Sequence, residues 1–171
     1  MIRRMGCCVI LTALVFSNSF GNFLDGQDPK ARIIEASNAL FGTSANKETL
    51  VRSLVQFLAV VVTLTSTSEY KDEIRQRIDV AIDLIQNDSL LNDKARQYLS
   101  FAYRMITNGQ KYQKPEELDE FVTPAEAQEK ALIYAKNLIA KSLSELDSGH
   151  KQTAAKLVLE LVLMVMTPIS G

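Results

Sequence analysis

The chain is poor in everything that would staple or punctuate it. Its 171 residues include 2 cysteines, 1 histidine, 4 prolines and 7 glycines. Cys7 and Cys8 both lie in the first apolar segment, so the chain beyond it has to fold without disulfides and rely on its core. His150 has no cysteine or second histidine beside it, which excludes the usual zinc donor sets. Few glycines and prolines mean few turn markers, and that composition points away from many short strands and toward helices.

No serine sits in a G-x-S-x-G context, and a catalytic serine would have only His150 as its base. No segment carries the ligand ladder and central glycine of a calcium loop. An excess of charge of one sign is missing too: 19 basic residues face 20 acidic ones, a net charge of −1. There is no basic stripe to gather phosphates, which argues against nucleic acid as a partner. A Lys-rich membrane-surface helix is likewise absent.

What is present is ordinary globular composition, 47% hydrophobic and 23% charged, over a length that can bury a proper core. The N-terminus has the parts of a signal peptide. Arg3 and Arg4 supply positive charge, Met5 to Phe16 is a 12-residue run of apolar and small residues, and Ser17-Asn18-Ser19-Phe20-Gly21 offers two cleavage points. The run is too short for a bilayer-spanning helix, which needs about 20 residues. Cys7 and Cys8 have no apolar stretch before them, so neither is a lipid-attachment cysteine. The expectation is a signal peptide at 1–21, cut after Ser19 or Gly21, and a secreted or periplasmic mature domain at 22–171. That mature chain carries 17 basic against 20 acidic residues.

Six helices are predicted in that domain. Asp28 caps the first, with Pro29 at its first position and Gly42 closing it, and Ile33, Ile34, Ser37, Leu40 and Phe41 on its buried side. The second runs from about Lys47 to Leu64. The third, about Glu69 to Gln86, buries Ile74, Ile78, Ala81, Ile82 and Ile85 and keeps Lys71, Asp72, Arg75, Gln76, Asp79 and Asp83 wet. The fourth carries Ala95, Leu99, Ala102 and Ile106 before Gly109 stops it. A long polar connection, Gln110 to Val122, comes next. Thr123-Pro124-Ala125-Glu126 then forms a capping box, and the fifth helix continues to about Leu146 with Ala131, Ala135, Leu138, Ser142, Leu143 and Leu146 buried. The last spans about Lys151 to Thr167, halted by Pro168.

Helices two and six are apolar nearly all round. Beyond its first turn, the second is interrupted at helical spacing by Arg52, Gln56, Thr63 and Thr67, and Gln152, Lys156, Glu160 and Thr167 form the matching edge of the sixth. Each therefore keeps one thin wet edge and buries the rest. The fold class read from this pattern is all-α: about six helices after the signal peptide, packed as three helical hairpins, in a bundle or a short α-α superhelix. Leu50, Ala95 and Ala154, near the starts of the inner helices, stand 45 and 59 residues apart, too unevenly for a regular repeat. The rival reading makes buried strands of the Val-rich runs Leu58–Leu64 and Leu157–Val165. Length opposes it, because both runs lie inside capped stretches of about 17 residues.

Among candidate sites, His150 comes after Gly149 at a turn and reads as a solvated helix-start residue. The acidic run Glu116, Glu117, Asp119 and Glu120, with Leu118 and Phe121 between, reads as a solvated short helix or as a surface for a basic partner; Glu116, Glu117, Asp119, Glu120 and Phe121 are the candidate partner-surface residues. Glu160 can pair with Lys156 one turn earlier. Tyr98, Phe101 and Met105 share one flank of helix four and Tyr103 points elsewhere; such aromatics usually serve the core. Asn87-Asp88-Ser89 matches the N-glycosylation acceptor pattern.

The function expected is that of an exported, non-enzymatic helical protein that binds another protein or serves in an assembly outside the cytoplasm. The alternative is a carrier of an apolar small molecule or lipid between the inner helices. No cofactor, metal or catalytic residue is expected, and an enzyme would have carboxylates alone, such as Glu126 and Glu160, to work with.

Overall fold

The computed structural model describes residues 28–42, 46–87, 92–118 and 123–167. The expected signal peptide, Asp88 and Ser89 of the acceptor pattern, and Asp119, Glu120 and Phe121 of the acidic run lie outside the described residues. Six α-helices succeed one another: α1 (Pro29–Leu40), α2 (Lys47–Leu64), α3 (Lys71–Asn87), α4 (Asp93–Ile106), α5 (Pro124–Asp147) and α6 (Lys151–Met166), with a 3₁₀ turn at Glu116–Leu118 before α5. No strand occurs among the described residues. Val60 and Val162, the centres of the two Val-rich runs, are helical and fully buried.

Local chemistry sets the helix ends. The side chains of Asp28, Asn46 and Asn92 accept the N–H of Lys30, Thr49 and Ala95, each satisfying a first-turn donor. At α5 the capping box is complete: Glu126 N–H donates to Thr123 Oγ1 at 3.4 Å and Thr123 N–H to Glu126 Oε2 at 3.2 Å. Helix α3 begins at Lys71 rather than Glu69, because Ser68 Oγ accepts the Tyr70 N–H and holds Glu69 and Tyr70 in the preceding turn. Gly149 (φ 79°) ends α5, with its N–H donating to the Leu146 carbonyl and the His150 N–H to the Glu145 carbonyl. Left-handed φ at this position is what glycine allows at little cost.

Packing proceeds in pairs along the chain. The pairs α1 with α2, α3 with α4 and α5 with α6 form three helical hairpins, and α2 packs against α6 to join them. Around this central pair, α1 and α5 touch on one side, and α3 and α4 lie on the other, against α2 and α6 respectively. The molecule is thus a bundle of three two-helix layers, with the two most apolar helices in the middle. Their fully buried side chains include Leu54, Phe57, Leu58, Leu159 and Leu161. A helix with neighbours on most sides must be apolar on most sides, and burying each such residue contributes roughly 1.5–3 kcal/mol.

The outer helices bury the centres of the stripes their spacing predicts, leave Leu40, Phe41, Ile82, Ala131, Leu143 and Leu146 half-buried at the edges, and expose one predicted residue. Ile74, Ile78, Ala81 and Ile85 of α3, and Ala95, Leu99, Ala102 and Ile106 of α4, are all buried. In α1, however, Ile34 is 43% exposed, whereas Ile33, Ala36 and Arg32 are buried. Each helical residue turns about 100° from the last. Ile34 therefore leaves the arc that Ile33 and Ala36 turn toward α2 and α5.

Replacing Leu58 or Leu159 with Ala is expected to cost about 2–5 kcal/mol of unfolding free energy, against within about 0.5 kcal/mol for exposed Val80→Ala. Urea unfolding monitored by circular dichroism checks this. Equal losses at all three positions would contradict the central placement of α2 and α6.

Candidate functional site

Chain direction explains the long connection. Lys30 at the start of α1 pairs with Asp147 at the end of α5 (2.7 Å), and Phe41, just past α1, lies beside Lys136 at the middle of α5. These two helices are antiparallel. Tyr103 near the end of α4 meets Glu160 of α6, and Gln152 at the start of α6 donates to the Ile106 carbonyl at 2.7 Å. Helix α4 is therefore antiparallel to α6, as is the hairpin partner α5, so α4 and α5 run the same way. The chain must return the length of the bundle between them. Residues 107–118 are the described part of this connection, and the sixteen residues between Ile106 and Thr123 can reach about 50 Å when extended, ample for a helix of roughly 24 Å. Asn108 (φ 55°) and Gly109 (φ 97°) turn the chain into this strap; glycine suits such a reversal because it has no Cβ to clash.

The strap crosses the polar edge of α6. Gln152, Lys156, Glu160 and Thr167 share one stripe at helical spacing, and each is engaged. Tyr103 Oη donates to Glu160 Oε1 at 2.7 Å, and Lys156 Nζ stands 3.7 Å from the same oxygen. The ring of Tyr112 on the strap meets Tyr103 edge to face at 5.8 Å. Burial is the main cause that raises the Tyr103 phenol above its ordinary value, with its hydrogen bond to Glu160 second; burial raises Tyr112 too, helped by the Glu160 charge and by Tyr134. The α6 carboxylate thus has two cross-chain neighbours besides the lysine that its own helix supplies. Sequence spacing shows Lys156 but not Tyr103, which is 57 residues away and meets it only because α4 and α6 are antiparallel.

Where the strap reaches the end of α6, two recesses flank it. One, of about 260 Å³, is apolar: Leu40 and Phe41 end α1, Leu118 comes from the strap, Ala131 and Leu132 from α5, and Met164 and Val165 from α6. The other, of about 430 Å³, lies along α4 and contains Arg96, Phe101 and Arg104, with Tyr112 and Thr167 at its far wall. Thr167 borders both.

Of the acidic run, Glu116 is exposed within the 3₁₀ turn, and Leu118 is buried to 6% exposure, anchoring that turn against α5. Glu117 belongs to the same turn. His150 sits at the exposed start of α6 with Nδ1 2.7 Å from Glu145 Oε2. The aromatic flank of α4 is only partly core: Tyr98 and Met105 are half-buried, but Phe101 is 46% exposed. Its ring lies under the guanidinium groups of Arg77 (4.9 Å) and Arg104 (5.7 Å), so cation–π contact stands in for burial. Among the described residues no group of His, Cys, Asp or Glu is arranged to hold a metal ion, and no helix is long and apolar enough to cross a membrane. No family model, no curated protein and no solved structure matches the chain.

Because folding raises the Tyr103 and Tyr112 phenols, the native state keeps protons that the unfolded chain releases near pH 10. Their contribution is complete below that pH and declines as pH rises past it, by up to about 1.4 kcal/mol per pH unit for each phenol. Unfolding free energies measured from pH 9 to 11.5 should fall less steeply in Tyr103→Phe than in the wild type. Identical slopes would remove Tyr103 from this linkage.

Proposed function

We propose that the protein is an exported, non-enzymatic helical protein that binds another protein through the apolar recess between α1, α5 and the end of α6. The carrying observation is the placement of apolar surface: the middle of the bundle is packed with fully buried side chains, whereas Leu132, 41% exposed, borders a recess on the outside. A recess of about 260 Å³ is small beside the usual 300–1,000 Å³ of small-molecule sites. It suits one or two apolar side chains of a partner better than a whole lipid. The carrier reading asks for room between α2 and α6, where Leu54, Phe57, Leu58 and Leu159 already form one cluster. Export is supported by the sequence alone, through Arg3, Arg4, the apolar run Met5 to Phe16 and the small residues after it.

The test compares two exposed apolar positions. Immobilised wild-type protein, Leu132→Asp and Val80→Asp are offered the secreted or periplasmic extract of the source cells. A partner held by the wild type and Val80→Asp, but at least about tenfold weaker (~1.4 kcal/mol) with Leu132→Asp, is the expected result, with all three melting alike. A partner indifferent to Leu132→Asp would refute this surface. Lipid found by native mass spectrometry in the purified protein would favour the carrier instead.

A further inference from the structure

The recess along α4 differs in charge from the rest of the molecule. Between Asp93 and Lys114 the chain has five cationic residues (Lys94, Arg96, Arg104, Lys111 and Lys114) and one acid, in a protein of net charge −1. Of these, Arg96 and Arg104 border the recess and Lys114 borders the apolar one, while Arg77 of α3 adds a cation 4.9 Å over the Phe101 ring. Asp93 pairs with Arg96 and is the lone acidic residue bordering this recess among the described residues. Even so, Arg96 Nε is buried with no hydrogen-bond partner, a donor whose desolvation is uncompensated. Arg104 and Phe101 remain exposed.

The spacing narrows the occupant. Arg96 and Arg104 are eight residues apart on one helix, which places their backbones about 12 Å apart. Phe101 and Ser100 lie between them on the same recess. An extended peptide advances about 3.3 Å per residue, so carboxylates about four residues apart match the two guanidiniums, with an apolar side chain between them over Phe101. Guanidinium groups suit carboxylates because their paired donors match the two carboxylate oxygens.

We propose that the α4 groove binds a short acidic segment of a partner protein, with Arg96 and Arg104 taking its carboxylates and Phe101 its central apolar residue. This rests on the protein-binding reading above but uses a different recess, so the two fail separately. The probe is a fluorescein-labelled, end-blocked peptide Glu-Glu-Leu-Phe-Glu-Glu, titrated with the purified protein and monitored by anisotropy. A version with lysine for every glutamate is the control.

Saturable binding of the acidic peptide alone is expected, weakened at least fivefold by Arg104→Glu, by Arg96→Gln and by Phe101→Ala, and weakened by added salt. Arg75→Glu, on the exposed face of α3, changes the same net charge away from the groove and should leave binding within twofold. Arg96→Gln keeps a neutral hydrogen-bonding side chain near Asp93, and thermal melts of every variant report whether α4 survives. Leu132→Asp should leave peptide binding intact. Its loss of partner capture with peptide binding retained upholds the groove independently of the apolar recess. Equal weakening by Arg75→Glu, equal binding of the lysine peptide, no saturable binding, or stronger binding of a single-stranded oligonucleotide or of anionic vesicles would each overturn the proposal.

Discussion

The contact between α2 and α6 is the constraint around which the other four helices are arranged. Without a disulfide among the described residues, the bundle draws its cohesion from apolar surface removed from water. Two helices that are apolar nearly all round cannot sit at a surface, so each must be enclosed. Helices α1 and α3 enclose α2, while α4 and α5 enclose α6. The closed set of contacts leaves the inner side chains, Phe57 and Leu159 among them, fully buried in one cluster.

Enclosure is incomplete along one line, and the polar chemistry of the molecule gathers there. Helix α6 keeps a stripe of Gln152, Lys156, Glu160 and Thr167 that the interior does not tolerate unpaired. Helices α4 and α5 run parallel on either side of it, and the strap covers the gap. Tyr103 and Lys156 then both face Glu160, and Gln152 reaches across to the end of α4. The same topology creates both recesses, because at the end of α6 the strap divides an apolar hollow from a cationic one. Recessed surface here is a by-product of how a long crossover meets a helix end, which is where surface irregularity concentrates in an otherwise regular bundle.

Much of the architecture was legible in the chain. Capping residues marked helix starts closely at Asp28 and Thr123, and the apolar periodicity of α3 and α4 named most of their buried faces. Such signals are local, set by residues within one or two turns. The candidate site was far less legible. The acidic run drew attention by composition; of its described side chains, Glu116 is exposed and Leu118 is buried against the bundle. Phe101 read as core and lies outside beneath two arginines, one of them contributed by another helix. Ile34 read as buried and is exposed, because a stripe's edge depends on where the neighbours stand.

By itself the sequence determined that this protein is helical, where most helices begin and end, and that the second and sixth must be enclosed. Each of those comes from interactions within a helix or from how much apolar surface a helix must hide. The fourth helix, grouped with the second and sixth as inner, lies on the outside against α3 and α6. Only the tertiary structure decided that α4 and α5 run parallel, that Glu160 receives the Tyr103 hydroxyl, and that the cations of α4 share a recess with the strap. These depend on relative direction and register of segments dozens of residues apart, and no periodicity in a single chain encodes them.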